Sequence, residues 1–321
     1  MADPAAPILV SCILLTYRHA PYVRQAVESM LMQKTNFAYE IIFADDYSPD
    51  NTREILNEYA AAHPDRIRTC FLEENMGGSA LHTLVGSTMC RGKYMTILEG
   101  DDYWIGTDRL QTLADFLENH PDYACVAHMR ERRDEDGRLL DYDPPKRLFG
   151  RDFTMAQFLK GERFSITGAL YVNHYLLAGD KYRSLELVTR NADDYQRCVI
   201  VHDFGKVFML ERCFYGYRVI AKPGGSNYNS IMSDLAKYDD QIRILHAMAE
   251  FYQGQYDFSG EIRRWQAKHL LLALLKGNRE GVRRVFCDVA PNRRFGLIAY
   301  LPVFAVKKLF KIGERSGWKT V

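Results

Sequence analysis

The chain has 321 residues, 47% of them hydrophobic, and a formal net charge of +1, which fits one large α/β domain with a C-terminal extension better than two equal domains. The neutral total hides an uneven spread: residues 261–321 hold 14 Lys or Arg against 4 Asp or Glu, so the tail carries +10 and residues 1–260 carry −9. The seven scattered cysteines form no C-x-x-C pair, and the longest apolar-rich run, Phe295–Val306, is short and contains Pro302, which argues against a disulfide scaffold and a bilayer-spanning helix.

Strand and helix patterns alternate through the first 130 residues. Ile8–Leu15 reads as an apolar strand, and Pro21 opens a helix to about Met32 with Val23, Ala26, Val27, Met30 and Leu31 on one face. Tyr39–Ala44 is the second strand, and a polar loop over Asp45–Asn51 leads into a helix at Thr52–Ala62. Ile67–Leu72 is the third strand, followed by the loop Asn75–Ser79 and a helix to about Cys90. Lys93–Leu98 is the fourth strand, Thr107–Glu118 the helix after an acidic loop, and Tyr123–His128 a fifth strand. Repeated βαβ units predict a mainly parallel sheet with helices on both faces. Arg130–Pro145 is charged and turn-rich, as in an exposed hairpin or loop. Ile166–Val172 then reads as a strand, Asp194–Phe204 as a helix, and Val207–Leu210 and Cys213–Ile220 as two strands. A loop over Lys222–Asn227 precedes a helical remainder broken near Gly254, Gly277 and Pro291.

The run Glu99-Gly100-Asp101-Asp102-Tyr103-Trp104 follows the apolar Tyr94–Leu98. Adjacent carboxylates at the carboxyl end of a buried strand sit where open α/β sheets hold ligands. Their mutual repulsion is most simply offset by a divalent cation, and hard oxygen donors suit Mg²⁺ or Mn²⁺. A turn capping the next helix is the alternative use of such a pair. Asp45-Asp46 ends the second strand and Tyr17 ends the first, so parallel strands bring all three to one edge. An aromatic ring stacks on a base, a carboxylate accepts from base N–H or ribose hydroxyls, and a second acidic pair binds a metal on a diphosphate. Together they describe a pocket for a nucleoside diphosphate bearing a transferable group. Taken singly, Asp45-Asp46 also fits an acidic first turn, and Tyr17 a packed loop aromatic.

Thr16-Tyr17-Arg18, the run Glu40 to Thr52, Asn75-x-Gly77, and Gly92-Lys93-Tyr94 before Glu99–Trp104 together resemble the family 2 inverting glycosyltransferases of GT-A fold. Order and spacing match over roughly residues 8–118, more weakly to about 230. The resemblance implies an α/β GT-A domain over 1–230, its nucleotide-sugar half at 1–128 and its acceptor half at 129–230, with a basic helical extension at 231–321. It implies that Tyr17 stacks on the base with Thr16 beside it, and that Asp46, with Asp45 adjacent, meets the base or ribose edge. Asp101 would contact ribose or metal, Asp102 would be the principal ligand of Mn²⁺ or Mg²⁺, and Glu99 would orient the pair. The family's acidic catalytic base falls on Asn191-Ala192-Asp193-Asp194-Tyr195, with Asp194 as the base; Asp193 fits a helix cap at least as well.

The chain departs from the family twice. His82 stands where relatives commonly carry an Arg, as a phosphate contact or a helix-surface residue. The family's Tyr-Arg-x-His-Gly-Gly reads here Tyr217-Arg218-Val219-Ile220-Ala221-Lys222-Pro223-Gly224-Gly225; with the His absent, Arg218 or Lys222 is left to serve the diphosphate.

The reaction so implied is a single displacement that inverts the sugar, with a carboxylate taking the acceptor proton. UDP is the carrier favoured by family analogy, and a glycan or lipid-linked hydroxyl is the acceptor. Basic residues from Arg293 to Arg315, interleaved with Phe295, Leu297, Ile298, Tyr300, Leu301 and Phe304, read as an interfacial helix on anionic lipid or as a packed helix with a basic face. No nucleic-acid motif accompanies that charge. Without a signal-peptide pattern, the expected place is the cytoplasm, at the inner face of the membrane. A sugar nucleotidyltransferase would carry a glycine-rich basic loop after the first strand, and a dehydrogenase G-x-G-x-x-G there; neither is present. A catalytically silent GT-A domain that binds a partner remains the alternative from another class.

Overall fold

The structure is a computed structural model that describes residues 7–190, 194–220 and 234–289. The chain divides into two compact units: Met1–Phe158 with Glu162–Ile231, and Leu159–Gly161 with Met232–Val321. The strands are β1 Ile8–Thr16, β2 Ala38–Asp45, β3 Ile67–Phe71, β4 Tyr94–Glu99, β5 Tyr103–Trp104, β6 Tyr123–Arg133, β7 Leu139–Asp143, β8 Arg151–Phe153, β9 Leu170–Val172 and β10 Lys206–Arg218. In the first unit the helices are α1 Val23–Leu31, α2 Thr52–Ala62, α3 Gly78–Thr88, α4 Arg109–Asn119, α5 Met155–Leu159, α6 His174–Ala178, α7 Arg183–Glu186 and α8 Asp194–Ile200.

One sheet runs β3-β2-β1-β4-β9-β6-β10-β5, with β7 on β6 and β8 on β10. Tyr39 through Asp45 and Tyr94 through Leu98 are buried residue after residue. Unbroken burial means both sheet faces are covered, which is why these strands lack a polar alternation. Val23, Val27 and Met30 of α1, Leu56 of α2, and Leu110, Leu113 and Leu117 of α4 join one core cluster with Leu14, Ile41, Phe43 and Leu98. Leu81 and Val85 of α3 are buried outside that cluster.

The half formed by β3-β2-β1-β4 is parallel throughout. Thr16 pairs with Asp45 and Leu15 with Glu99, so the strand ends finish level at one edge. Beyond β4 the sheet is mixed. The strand expected over Ile166–Val172 shortens to β9 and runs antiparallel to both β4 and β6. The two strands expected over 207–220 are one continuous β10 with irregular register between Leu210 and Tyr215, so the polar Glu211-Arg212 marks a bulge rather than a turn. β6 continues past His128 to Arg133 and folds back through β7 as a charged hairpin. The two-residue β5 pairs antiparallel with Tyr215-Gly216.

The second unit contains α9 Asp234–Phe251, α10 Ser259–Leu275 and α11 Arg279–Asp288. Ala267 and Leu270 of α10 pack with Val285 and Val289. The breaks expected near Gly254 and Gly277 fall between these helices; Gly277 has φ +62°. The basic segment Arg293–Arg315, the Lys222–Asn227 loop and Asp193 lie outside the described residues. Among the described residues no helix is long and apolar enough to cross a membrane. All seven cysteines are free, Cys287 exposed and Cys12, Cys90, Cys125 and Cys198 buried.

Candidate active site

The end of β2 is closed by hydrogen bonds. Asp45 is fully buried. Its Oδ1 accepts from the Ser48 N–H at 2.9 Å and the Arg53 Nε at 2.6 Å. Its Oδ2 accepts from the Thr16 hydroxyl at 2.8 Å and the Ser48 hydroxyl at 2.5 Å. Four donors use the whole acceptor capacity of a carboxylate. Asp45 therefore ties the end of β1 to the loop before α2 and leaves no oxygen free for a ligand; Thr16 likewise spends its hydroxyl inward.

Asp46 turns the other way, toward the loop before α3. It accepts from the Asn75 Nδ2 at 2.9 Å, the Met76 N–H at 2.7 Å and the Gly77 N–H at 2.8 Å. Gly77 has φ +93°, a conformation that favours glycine. Burial raises the Asp46 carboxyl despite these donors. Asp46 is what gathers the Asn75-x-Gly77 motif against the strand edge. Tyr17 is half-buried just past β1.

The end of β4 is different. Glu99, Asp101 and Asp102 each offer a carboxylate oxygen, all within 4.8 Å of one another. Asp102 is buried; Oδ2 accepts the Tyr215 hydroxyl at 2.9 Å and Oδ1 the Arg218 backbone N–H at 2.7 Å. Asp101 is buried, and its Oδ1 has no hydrogen-bond partner; the nearest base is His19 Nε2 at 3.8 Å. Burial, then the charges of Asp101 and Asp194, push the Glu99 carboxyl up to about 8. Burial, then Asp101 and Glu99, raise Asp102 well above the usual carboxylate range. Gly100 permits this crowding: a Cβ there would lie 2.7 Å from both His19 Nδ1 and Thr16 Cγ2. Hard oxygens, an orphaned buried acceptor and uncompensated negative charge fit Mn²⁺ or Mg²⁺.

Arg218 sits beside this cluster. Its guanidinium donates to the Asp101 carbonyl and to Gln25 Oε1 and lies over the rings of Tyr22 and Tyr103, 4.9 and 5.1 Å from their centroids. Lys222 lies outside the described residues. His82 is fully buried on the inner side of α3, neither a surface residue nor a phosphate contact. Burial holds its imidazole well below the ordinary value, so it is neutral.

Asp194 opens α8, exposed as a residue but with its carboxyl turned to a desolvated setting. Its charge is felt at Glu99, which places it near the acidic cluster. Desolvation raises its carboxyl, opposed first by Arg130 and then by the Thr167 hydroxyl, 3.4 Å from Oδ1. The sequence reading missed Tyr215, Arg130, Thr167 and His19. Tyr215 and Tyr217 alternate along β10 before Arg218, a period-two signal that was there to read; Thr167 and His19 gave none.

The profile described as Glycosyl transferase family 2 matches residues 11–174. An uncharacterized protein of Mycobacterium tuberculosis is 32% identical over 162 residues, 50% of this chain and 46% of that protein. The chain thus spans about half the length of the curated relatives it matches. Among solved structures, TarS 1–349 of Staphylococcus aureus in complex with UDP-GlcNAc aligns with TM-score 0.57 and 16% identity, over 82% of this chain and 73% of that one. The mannosyltransferase PcManGT of Pyrobaculum calidifontis, in complex with GDP-Man and Mn²⁺, aligns with TM-score 0.51 and 14% identity, over 96% and 89%. These likenesses establish the fold as GT-A.

Proposed function

The chain belongs to glycosyl transferase family 2 and is a glycosyltransferase, and from that premise we propose that it moves a sugar from a nucleoside-diphosphate donor, a UDP-sugar, to a hydroxyl of a glycan or lipid-linked acceptor with inversion. The observation that carries this reading is the pairing of a cation-demanding cluster, Glu99, Asp101 and Asp102, with a separately held carboxylate, Asp194, within its field. The UDP-GlcNAc bound by TarS and the GDP-Man and Mn²⁺ bound by PcManGT support the donor class and the metal.

Asp101 and Asp102 would hold Mn²⁺ or Mg²⁺, which when bound offsets negative charge on the departing nucleoside diphosphate. Tyr215 and the Arg218 N–H fix the Asp102 carboxylate, and the Arg218 guanidinium adds positive charge at the diphosphate. Tyr17 stacks on the base beside the loop that Asp46 gathers. Asp194 takes the proton from the acceptor hydroxyl as that oxygen attacks the anomeric carbon and the sugar–phosphate bond breaks, inverting the centre in one displacement. The basic segment Arg293–Arg315, within the +10 stretch 261–321, supports contact with anionic lipid at the inner membrane face, where a lipid-linked acceptor would lie.

A calorimetric screen of UDP-, GDP-, dTDP- and CMP-sugars, with and without Mn²⁺, tests the reading. Metal-dependent binding of one nucleotide, lost in Asp102→Ala, is the expected result. No binding by well-folded protein would move the reading to a silent GT-A domain.

A further inference from the structure

Asp194 is not held by its own helix alone. The Thr167 hydroxyl donates to Asp194 Oδ1 at 3.4 Å, long for such a bond, as catalytic hydrogen bonds often are before substrate binds. The Thr167 carbonyl accepts the Ser165 hydroxyl at 2.9 Å, and Ser165 Oγ accepts from Arg130 Nη1 at 3.1 Å. Arg130 is clamped on its far side by Asp143, with Nε at 2.7 Å from Oδ2 and Nη2 on the same oxygen. Its guanidinium lies 4.7 Å from the centroid of the Tyr217 ring. Arg130 and Asp143 are partners across the β6–β7 ladder, so the hairpin backbone sets the clamp. The next residue pins the stretch to the core: the Gly168 N–H donates to the Ile97 carbonyl at 3.1 Å, and the Gly168 carbonyl lies 3.1 Å from His128 Nε2.

Two features mark this as more than packing. The positive charge of Arg130 acts on Asp194, favouring its ionised form. Only three of its five N–H donors are engaged by Asp143 and Ser165. A guanidinium that is fixed, half-buried and linked through Ser165 and Thr167 toward the Asp194 carboxylate is preorganised to hold it in place.

We propose that Arg130, Ser165 and Thr167 form a positioning relay that fixes the Asp194 carboxylate, with the β6–β7 hairpin as its anchor. The relay rests on the reading of Asp194 as the base. It also gives the hairpin a part in the reaction: whatever an acceptor does to Asp143 or Arg130 is passed to the base through two hydroxyls and one carbonyl.

The test is release of UDP from UDP-GlcNAc, or the matching nucleotide from the donor selected by calorimetry, in the presence of Mn²⁺. Water then takes the place of the acceptor hydroxyl. Thr167→Val is expected to lower kcat about 10-fold and Arg130→Gln about 100-fold, with donor KM changed by less than about twofold. Thr167→Ser restores the hydroxyl and should recover most of the rate; Arg130→Lys keeps the charge without the fork and should fall between. Melting temperatures check that each variant folds, and the isosteric Thr167→Val leaves the shape of the site unchanged. Wild-type kcat in both Thr167→Val and Arg130→Gln, or losses confined to KM, would overturn the relay. Asp194→Asn in the same assay separates the two readings. If Asp194→Asn is inactive while the relay variants are not, the relay alone falls. If Asp194→Asn keeps wild-type turnover, or the wild type releases no nucleotide from any donor, the base reading falls and the relay with it.

Discussion

Two Asp-Asp pairs stand at one edge of the sheet, on the strands that flank β1, and they are built in opposite ways. Asp45 and Asp46 accept seven hydrogen bonds from side-chain and backbone donors, with Arg53 as counter-charge for Asp45. Asp101 and Asp102, with Glu99, crowd three carboxylates together and leave Asp101 Oδ1 without a donor. The first pair is complete within the protein and shapes the pocket wall. The second leaves negative charge that a cation would offset. The same dipeptide is thus saturated on one strand and left open to a ligand on the next, and the count of donors around each carboxylate tells them apart.

The sharpest way to break this contrast is Asp102→Ala. Metal-dependent turnover should fall about 1000-fold, as expected when a principal metal ligand is lost, while the fold persists; comparable activity in the variant would erase the distinction. Next is Asp45→Ala, which should cost about 3 kcal/mol of stability by stranding the buried Thr16 hydroxyl and the half-buried Ser48 and Arg53, read by chemical denaturation. Both pairs would then be alike if Asp45→Ala melted as the wild type does.

Proton competition sharpens the contrast without mutation. Glu99, pushed up to about 8, and Asp102, also raised, hold protons in the metal-free fold that the unfolded chain has lost. Where the folded state binds more protons, stability falls as pH rises, here between the ordinary carboxylate range and pH 8. Cation binding must displace those protons. The gain in melting temperature on adding Mn²⁺ should therefore be larger at pH 8 than at pH 6; an equal gain at both would sink the account. The smallest effect is Asp101→Asn, which relieves repulsion without breaking any side-chain hydrogen bond and should stabilise the metal-free protein by about 1 kcal/mol, measured as a higher melting temperature.

The parallel half was legible because its strands are buried on both faces and its helices carry apolar stripes, both of which leave a mark on composition. The motifs at the strand ends were legible because they are contiguous in sequence. β5 was not, since two residues make no pattern, and the direction of β9 depends on partners rather than on its own residues. The inward use of Asp45 was hidden too. It depends on Ser48 and Arg53, residues of the same motif whose side chains could as well have met a ligand. Arg130 and Thr167 lie far from Asp194 along the chain, and only the fold brings them near.

The acidic loop after β4 owes its shape to the far end of β10. The Arg218 N–H reaches Asp102 across 116 positions of sequence, and Tyr215 across 113. A chain made from its N-terminus has every strand of the parallel half in hand long before either arrives. The nascent protein can thus assemble the parallel half early, yet the bonds that fix Asp102 form only after residue 218 has left the ribosome and β10 has docked. A cation held at Asp102 would then report that β10 has joined the sheet.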